Sequence, residues 1–377
     1  MPLVLTEEQQ MLQDTARGFA EEKSPISELR RLRDEDVADG FHRDLWGQMA
    51  ELGLTGVLVP EEHGGAGFGY VGAGLIAQEL GRTLAASPYV ATSLMAATAL
   101  CRYGTDEQKA AHLPRISAGE TVFALASDEA KKHTPNHVSM KAERAGNGFR
   151  LSGEKTFVAE GFAADQLIVA ARTAGADDDR AGITLFLVDA SKAEKERMKT
   201  IDSRGFARIR LDGVEVDGDA VLGQVDDGLA ALEVILNAGR AGLASEMVGA
   251  SEGAFAMTLD YLRQRKQFGT EIGRFQALQH RAAHLYTELE LAKAVAHQAL
   301  DELDSGIENA SAAVSLAKAK VAQVARLATN EGVQMHGGIG MTDEYDIGFF
   351  MKRVRVAGEL FGDHDYHMNR LAEVMGY

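Results

Sequence analysis

The sequence predicts a mostly helical α+β protein in three parts: a helical N-terminal part over 1–120, a β-rich middle over 121–228, and a helical bundle over 229–377. Three observations predict it. Helix caps and near-helical apolar spacing dominate the first part. Short β-branched or alternating runs broken by Gly and Asp fill the middle. No proline follows Pro135, which permits very long helices in the last part.

In the first part, Thr6 with Gln9 three residues on matches a capping box and opens a helix over residues 3–22. Leu5, Met11, Leu12 and Phe19 give it an apolar stripe. A second helix runs over 41–52 and stops at Gly53. "VPEEHGGAGFGY" reads as a Gly-rich loop, followed by helices over 72–84 and 91–103. Thr105 and Gln108 repeat the capping signal and carry a helix to Pro114. The stretch from Thr83 to Cys101 lacks charge but contains Pro88, Ser87, Thr92 and Ser93. It is too weakly apolar for a membrane span, which needs about 20 strongly apolar residues, and reads as a buried segment.

The middle part is announced by "TVFALAS", "FRLSGEKTFVA", "QLIVAART", "ITLFLVD", "RIRLDGVEV" and "AVLG". Then residues 229–265, 275–303 and 310–335 form three long amphipathic segments, for which antiparallel bundling is the natural packing.

At 377 residues and 45% hydrophobic, the chain has the balance of a water-soluble protein with large cores. A net charge of -17 argues against non-specific nucleic-acid binding. A single cysteine, Cys101, excludes an internal disulfide framework and suits a reducing, cytoplasmic setting. The start lacks a basic region followed by an apolar core, so no secretory signal is expected, and no C-terminal targeting motif stands out.

Two motifs carry the chemistry. In "RQRKQFGTEIGRFQ" an arginine, Arg265, lies near a break between helices, where a guanidinium can pair with a phosphate. Gln276 lies in the first turn of the next helix, beside free N–H groups. In "VQMHGGIGMTDEY" three glycines interrupt a helix-rich stretch. Each motif alone has an ordinary reading, as a solvated charge or a helix C-cap; the alternative is close backbone approach to a bulky ligand.

Taken together, "RxxFGxxIGxFQ" followed by "QxxGGxGxTxEY" resembles the acyl-CoA dehydrogenase family. "LTEEQQML", "LGLTGVLVPEEHGGAG" and "YGTDEQKAAHLPRISAGE" extend the resemblance over essentially the whole chain. It implies a helical N-terminal domain, a β-barrel-like middle domain and a C-terminal four-helix bundle. It also implies FAD held between the β domain and the bundles of two subunits, in dimers or tetramers. The positions matching contacts to the ADP half of FAD are Arg265, Phe268, Gln276, Gln334, Gly337 and Gly338. The implied reaction removes two hydrogens from an acyl-CoA: a carboxylate takes the α proton and the β hydrogen leaves as hydride to the flavin. An electron-transfer flavoprotein is the implied acceptor.

The sequence departs from that pattern where proton abstraction belongs. One usual Glu position is Phe361 here. The other, on the first bundle helix before Arg240, is Gly239. Around the flavin ring, the usual Thr-Glu-Pro and Trp-Ile-Thr segments read "ASDEAKKHTPNHV" and Phe157-Val158-Ala159. The ADP end looks intact and the ring end eroded. That combination resembles the small subunit of heteromeric acyl-CoA dehydrogenases of the steroid-CoA or pimeloyl-CoA type, in which a partner chain supplies the base and ring pocket. Two competitors stay open. One is a self-sufficient enzyme with a relocated carboxylate, best placed at Glu246, seven residues after Gly239 and hence on a similar helix face; its ordinary alternative is a structural ion pair. The other is a non-redox binding protein that keeps the fold. No metal site is expected: His336 lacks ligand spacing, and Asp363, His364, Asp365 and His367 read as a polar turn.

Overall fold

The computed structural model describes residues 5–306 and 310–377. Positions 3 and 4 of the first predicted helix lie outside them. In chain order the helices before the sheet are α1 (Glu7–Lys23), α2 (Ile26–Asp34), α3 (Arg43–Glu51), α4 (Gly69–Arg82), α5 (Ala97–Tyr103) and α6 (Asp106–Ser117). The strands are β1 (Phe123–Ala126), β2 (Lys141–Ala145), β3 (Gly148–Ala159), β4 (Gln166–Arg172), β5 (Ile183–Asp189), β6 (Glu194–Lys199), β7 (Gly205–Val216) and β8 (Val221–Leu222). Then follow α7 (Gly228–Gln264), the small hairpin β9 (Lys266–Gln267) and β10 (Thr270–Glu271), α8 (Gln276–Ser305), α9 (Ala310–His336), α10 (Ile347–Glu359) and α11 (His364–Val374).

Both predicted capping boxes form. The Thr6 and Thr105 hydroxyls accept from the N–H of Gln9 and Gln108, whose side chains accept from the cap N–H in return. Each satisfies two of the N–H groups that a helix start leaves without partners. The buried stripe of α1 differs from the expected one: Ala16, Phe19 and Ala20 face inward while Met11 is exposed. α6 runs through Pro114 to Ser117, because one proline removes a single helical bond without forbidding helical φ. The uncharged Thr83–Cys101 stretch is mostly buried, with a seven-residue π-helix, Val90–Ala96, leading into α5. Among the described residues no helix is long and apolar enough to cross a membrane.

The chain forms two compact units that interleave along the sequence. One comprises the residues up to Arg30, Tyr70–Ala85 and Arg240–Tyr377. Here α8 and α9 run antiparallel: Arg281 near the start of α8 pairs with Glu331 near the end of α9, and Glu288 pairs with Lys320. Apolar residues of α8, α9 and α10, including Leu285, Leu289, Val314, Val321 and Phe350, form its core. At roughly 1.5–3 kcal/mol per buried large side chain, that burial outweighs any single polar contact described below.

The other unit, Arg31–Gly69 and Ala86–Gly239, holds the sheet. Strand order is β6-β7-β3-β2-β4-β5-β8, with β1 added in parallel to β4. β4 and β5 are nearly continuous apolar runs buried along their length, packed with Phe149, Leu151, Ile209 and Leu211. The barrel-like expectation is met only as an open path of paired strands: among the described residues the path ends on β6 and β8. β6, "EKERMK", carries charges along an edge, and β8 has two residues, features that suit strands with one free side.

Candidate functional site

The residues expected to face the ADP half of FAD gather where α8 begins and α9 ends. The antiparallel pairing of those helices puts Gln276 and Gln334 at one end of the pair. Ahead of α8, β9 and β10 pair through Gln267 and Thr270, leaving a two-residue turn, Phe268-Gly269. Both turn residues have positive φ, 54° and 81°, the signature of a type I′ hairpin turn. That turn favours Asn-Gly. A phenylalanine in left-handed backbone costs about 1 kcal/mol or more, yet Phe268 stands 92% exposed, touching only the edge of Phe275. The turn thus combines a strained backbone with an exposed aromatic ring.

The other members of the set share this openness. Arg265, Gln276, Gln334, Gly337 and Gly338 are exposed. Among the described residues the side chains of Arg265, Gln276 and Gln334 make no hydrogen bond or ion pair. An added Cβ at Gly337 or Gly338 would meet no atom within 4 Å. A guanidinium, two amides, an aromatic ring, the start of α8 and side-chain-free backbone at the end of α9 are the donors and stacking surface that a dinucleotide's phosphates and base require. On chemistry the set fits FAD. His336, just before the glycines, is buried between the rings of Tyr261 and Tyr345 and donates from Nδ1 to the Gly332 carbonyl at 2.6 Å. Burial lowers its imidazole pKa, so it is a neutral packing group.

The turn after α10 contrasts with this surface. Phe361, at the usual base position, is buried and has φ 57°; Gly362 follows with φ 109°. Three buried side chains hold the turn from inside. Arg240 donates from Nε to the Phe361 carbonyl at 2.9 Å, and His367 from Nε2 to the same oxygen at 3.2 Å. Lys318 donates from Nζ to the Gly358 and Gly362 carbonyls at 2.9 and 3.1 Å. Arg240 also reaches the Tyr366 hydroxyl at 3.2 Å. Burial, then the nearby Arg240 charge, push the Lys318 ammonium down to about 7. The polar stretch after it is structural as well: Asp363 accepts from the Tyr366 N–H at 2.8 Å as the N-cap of α11, and His364 faces the Ala319 carbonyl.

At the second base position a Cβ on Gly239 would lie 2.6 Å from the Met95 sulfur, so the methionine fills the space a longer side chain would need. Glu246, the sequence-level candidate for a relocated base, is committed elsewhere. Arg353 grips it in a fork, Nε to Oε1 at 2.7 Å and Nη2 to Oε2 at 2.9 Å, with both residues buried. This is the structural ion pair weighed against the catalytic reading. A carboxylate so held has both oxygens engaged and is a poor proton acceptor.

The ring-end segments lie in the other unit. Lys155 on β3 is fully buried and donates to Glu129 at 2.6 Å and to the Ser127 carbonyl at 3.1 Å. Glu129 also accepts from the Ser139 N–H and hydroxyl and from the Met140 N–H. Burial opposes its charge, but Lys155 and these donors outweigh that and hold the carboxyl below its usual range. The loop is thus stapled to β3 by charge. Two residues on, β3 bulges against β7, and Phe157 takes φ 51° with its ring 42% exposed. Ala159 supplies no hydroxyl at the threonine position.

Sequence reasoning missed Lys318 and Arg353, and read His367 only as part of a polar turn. The available signal was a charge on an apolar stripe: Lys318 falls four residues after Val314 and three before Val321.

Comparison with known proteins bears on the whole chain. The acyl-CoA dehydrogenase N-terminal domain matches residues 6–120, and the acyl-CoA dehydrogenase C-terminal domain matches residues 226–376. A mitochondrial isovaleryl-CoA dehydrogenase of Solanum tuberosum is 32% identical over 371 residues, covering 94% of this chain and 87% of its own. A 3-(aryl)acrylate reductase of Clostridium sporogenes is 31% identical over 363 residues, 94% of each chain. Among solved structures, a variant of the Tcur3481-Tcur3483 steroid ACAD superposes with a TM-score of 0.88 at 30% identity over 98% of both chains.

Proposed function

The chain belongs to the acyl-CoA dehydrogenase family of FAD-dependent oxidoreductases, and on that premise we propose that it acts as the subunit without a base in a heteromeric acyl-CoA dehydrogenase. The observation that carries this reading is that both usual base positions are closed. Phe361 is buried with its carbonyl pinned, and Gly239 is backed by Met95. Neither place offers a carboxylate, and α-proton abstraction needs one within hydrogen-bond reach of the substrate.

In this reading a partner chain of the same family supplies the carboxylate and the ring pocket. This chain supplies Arg265, Phe268, Gln276, Gln334 and the Gly337-Gly338 backbone to the ADP half of FAD. The guanidinium and helix-start N–H groups neutralise the phosphates; the exposed Phe268 ring offers a face for the base to stack on. When bound, FAD supplies the two-electron acceptor for the β hydrogen. The α proton goes to the partner's carboxylate, and the acyl chain gains a carbon–carbon double bond. Electrons then pass to an electron-transfer flavoprotein. The likeness to a steroid ACAD with a paired name supports both the two-chain arrangement and a bulky acyl group.

Purification alone and with a base-carrying partner chain tests the reading. The expected result is a colourless, inactive preparation alone and a yellow, active complex with the partner. A yellow, active preparation of this chain alone contradicts it and returns the question to a relocated carboxylate. Absence of colour in both supports a binding protein without flavin.

A further inference from the structure

After α2 the chain turns back against the connection between β6 and β7, and both pieces belong to the sheet-bearing unit. Between them lies a cavity of about 190 Å³. Four cations line it: Arg33 from α2, Arg197 and Lys199 from β6, and Arg204 just before β7. One carboxylate, Asp36, joins them on the wall. Such crowding stands out in a chain of net charge -17, because close like charges repel. Two neighbouring carboxylates relieve part of it. Asp34 pairs with Arg33 at 2.7 Å, and the buried Asp202 accepts from the Thr200 hydroxyl at 2.5 Å and the Arg204 N–H at 3.4 Å. Counting Asp36, Asp34 and Asp202 against Arg33, Arg197, Lys199 and Arg204, cations still outnumber carboxylates.

Hydrogen-bond donors exceed acceptors as well. Asp36 meets Arg197 at 3.0 Å and Lys199 at 2.7 Å, and Arg197 also donates to the Val37 carbonyl at 3.0 Å. Lys199 spends one of its three N–H donors there. The Ser203 hydroxyl on the cavity wall makes no hydrogen bond among the described residues. Lys199, then Arg197, hold the Asp36 carboxyl below its usual range, so the local field is positive. The walls are set by close backbone packing: a Cβ on Gly40 would lie 2.0 Å from the Gly205 nitrogen. Arg204, next to that contact, is 5% exposed. A cavity already shaped in this way needs little ordering to take a ligand.

We propose that this cavity binds a phosphate group, either as free phosphate or on a phosphomonoester. Three guanidiniums offer planar forks that match phosphate oxygens, and Lys199 adds a point charge at the mouth, where it is 70% exposed. A bound phosphate would answer the surplus charge and tie the end of α2 to the start of β7. The proposal does not depend on the acyl-CoA reading, since none of these residues belongs to the flavin set or to the turn at Phe361.

Calorimetric titration of the full chain with inorganic phosphate, at ionic strength held constant with sodium chloride, tests it. Glycerol 3-phosphate and glycerol serve as further titrants. One saturable phosphate site is expected in wild type. Lys199→Gln and Arg33→Gln should each weaken it about tenfold, the worth of one charge-assisted hydrogen bond. Arg208→Gln should leave it unchanged, because that arginine pairs with Glu154 and Glu196 away from the cavity. Arg265→Ala should also leave it unchanged, which separates this cavity from the surface proposed for flavin. Melting curves establish that each variant is folded, and the exposed Lys199 keeps the test decisive if Arg33→Gln is not. Glycerol 3-phosphate binding more tightly than phosphate, with glycerol silent, supports the cavity and names a phosphomonoester as its source; equal affinity supports it with free phosphate. No saturable phosphate binding in wild type overturns the proposal, as does unchanged affinity in Lys199→Gln. A loss in Arg208→Gln equal to that in Lys199→Gln, or a loss in Arg265→Ala alone, overturns it too.

Discussion

Two glycine-containing turns close helices of the same unit. The Gly337-Gly338 turn ends α9 and the Phe361-Gly362 turn ends α10, and their surroundings are opposite. Around the first an added Cβ meets nothing within 4 Å; at Gly362 it would lie 2.3 Å from the Tyr366 ring. Among the described residues no side chain hydrogen-bonds the Gly337 or Gly338 backbone. Three do so in the second turn, all buried. A turn whose carbonyls are held by buried side chains keeps its shape from inside. The open turn lies beside an arginine and two amides whose side chains make no hydrogen bond or ion pair among the described residues, so it is free to meet an outside atom. The difference separates the turn proposed to face a cofactor from the turn at the usual base position, where Phe361 stands.

The largest expected effect concerns the inner turn. The Lys318 ammonium titrates near 7 in the folded chain but near its ordinary value when unfolded. Between those values the unfolded chain holds the extra proton, so stability rises with pH across that window and is flat in this term below it. Relative to Lys318→Met, wild type should gain about 4 kcal/mol between pH 7 and 10, at about 1.4 kcal/mol per pH unit. Urea denaturation of both chains at each pH checks this. A constant difference would show that the buried amine keeps its proton across the window, as in the unfolded chain. Gly362→Ala comes next. Its methyl must displace Tyr366 and His367 at a positive φ, so a loss of about 3 kcal/mol is expected by the same method.

On the open turn the scale is smaller and the observable changes. Arg265→Ala should leave the melting curve within about 0.5 kcal/mol of wild type, as exposed substitutions do. It should weaken flavin retention in the assembled enzyme by about ten- to a hundredfold, the worth of one charge-assisted hydrogen bond to a phosphate. Unchanged flavin content after gel filtration would remove Arg265 from the site.

How much of this was legible depended on distance along the chain. The capping boxes were readable because Thr and Gln lie three residues apart. β4 and β5 were readable because both faces are buried and the runs are apolar throughout. β2 and β6, "KAERA" and "EKERMK", carry the charges of exposed strands and gave no apolar pattern. α2 was lost for a similar reason: "ISELRRLRD" has five charges in nine residues, and only Leu29 and Leu32 are deeply buried. The residues proposed for the cofactor lie in two contiguous motifs. The inner turn was not legible, since Arg240 and Phe361 meet across 121 residues and Glu246 and Arg353 across 107. Such meetings are set by how long helices pack, which local periodicity does not encode.

The smallest effect is the most discriminating. Gly337 has φ 66°, so alanine there costs the left-handed backbone penalty, about 1 kcal/mol, and nothing for clash, because the space is empty. If that glycine serves only as the C-cap of α9, Gly337→Ala lowers stability by that amount and flavin retention is untouched. If the backbone must touch the cofactor, one methyl intrudes where a phosphate or ribose has to sit, and retention falls severalfold, well beyond what the stability change can account for. Measuring both in the same preparation separates the two roles, and a loss confined to stability would reduce the open turn to a helix end like any other.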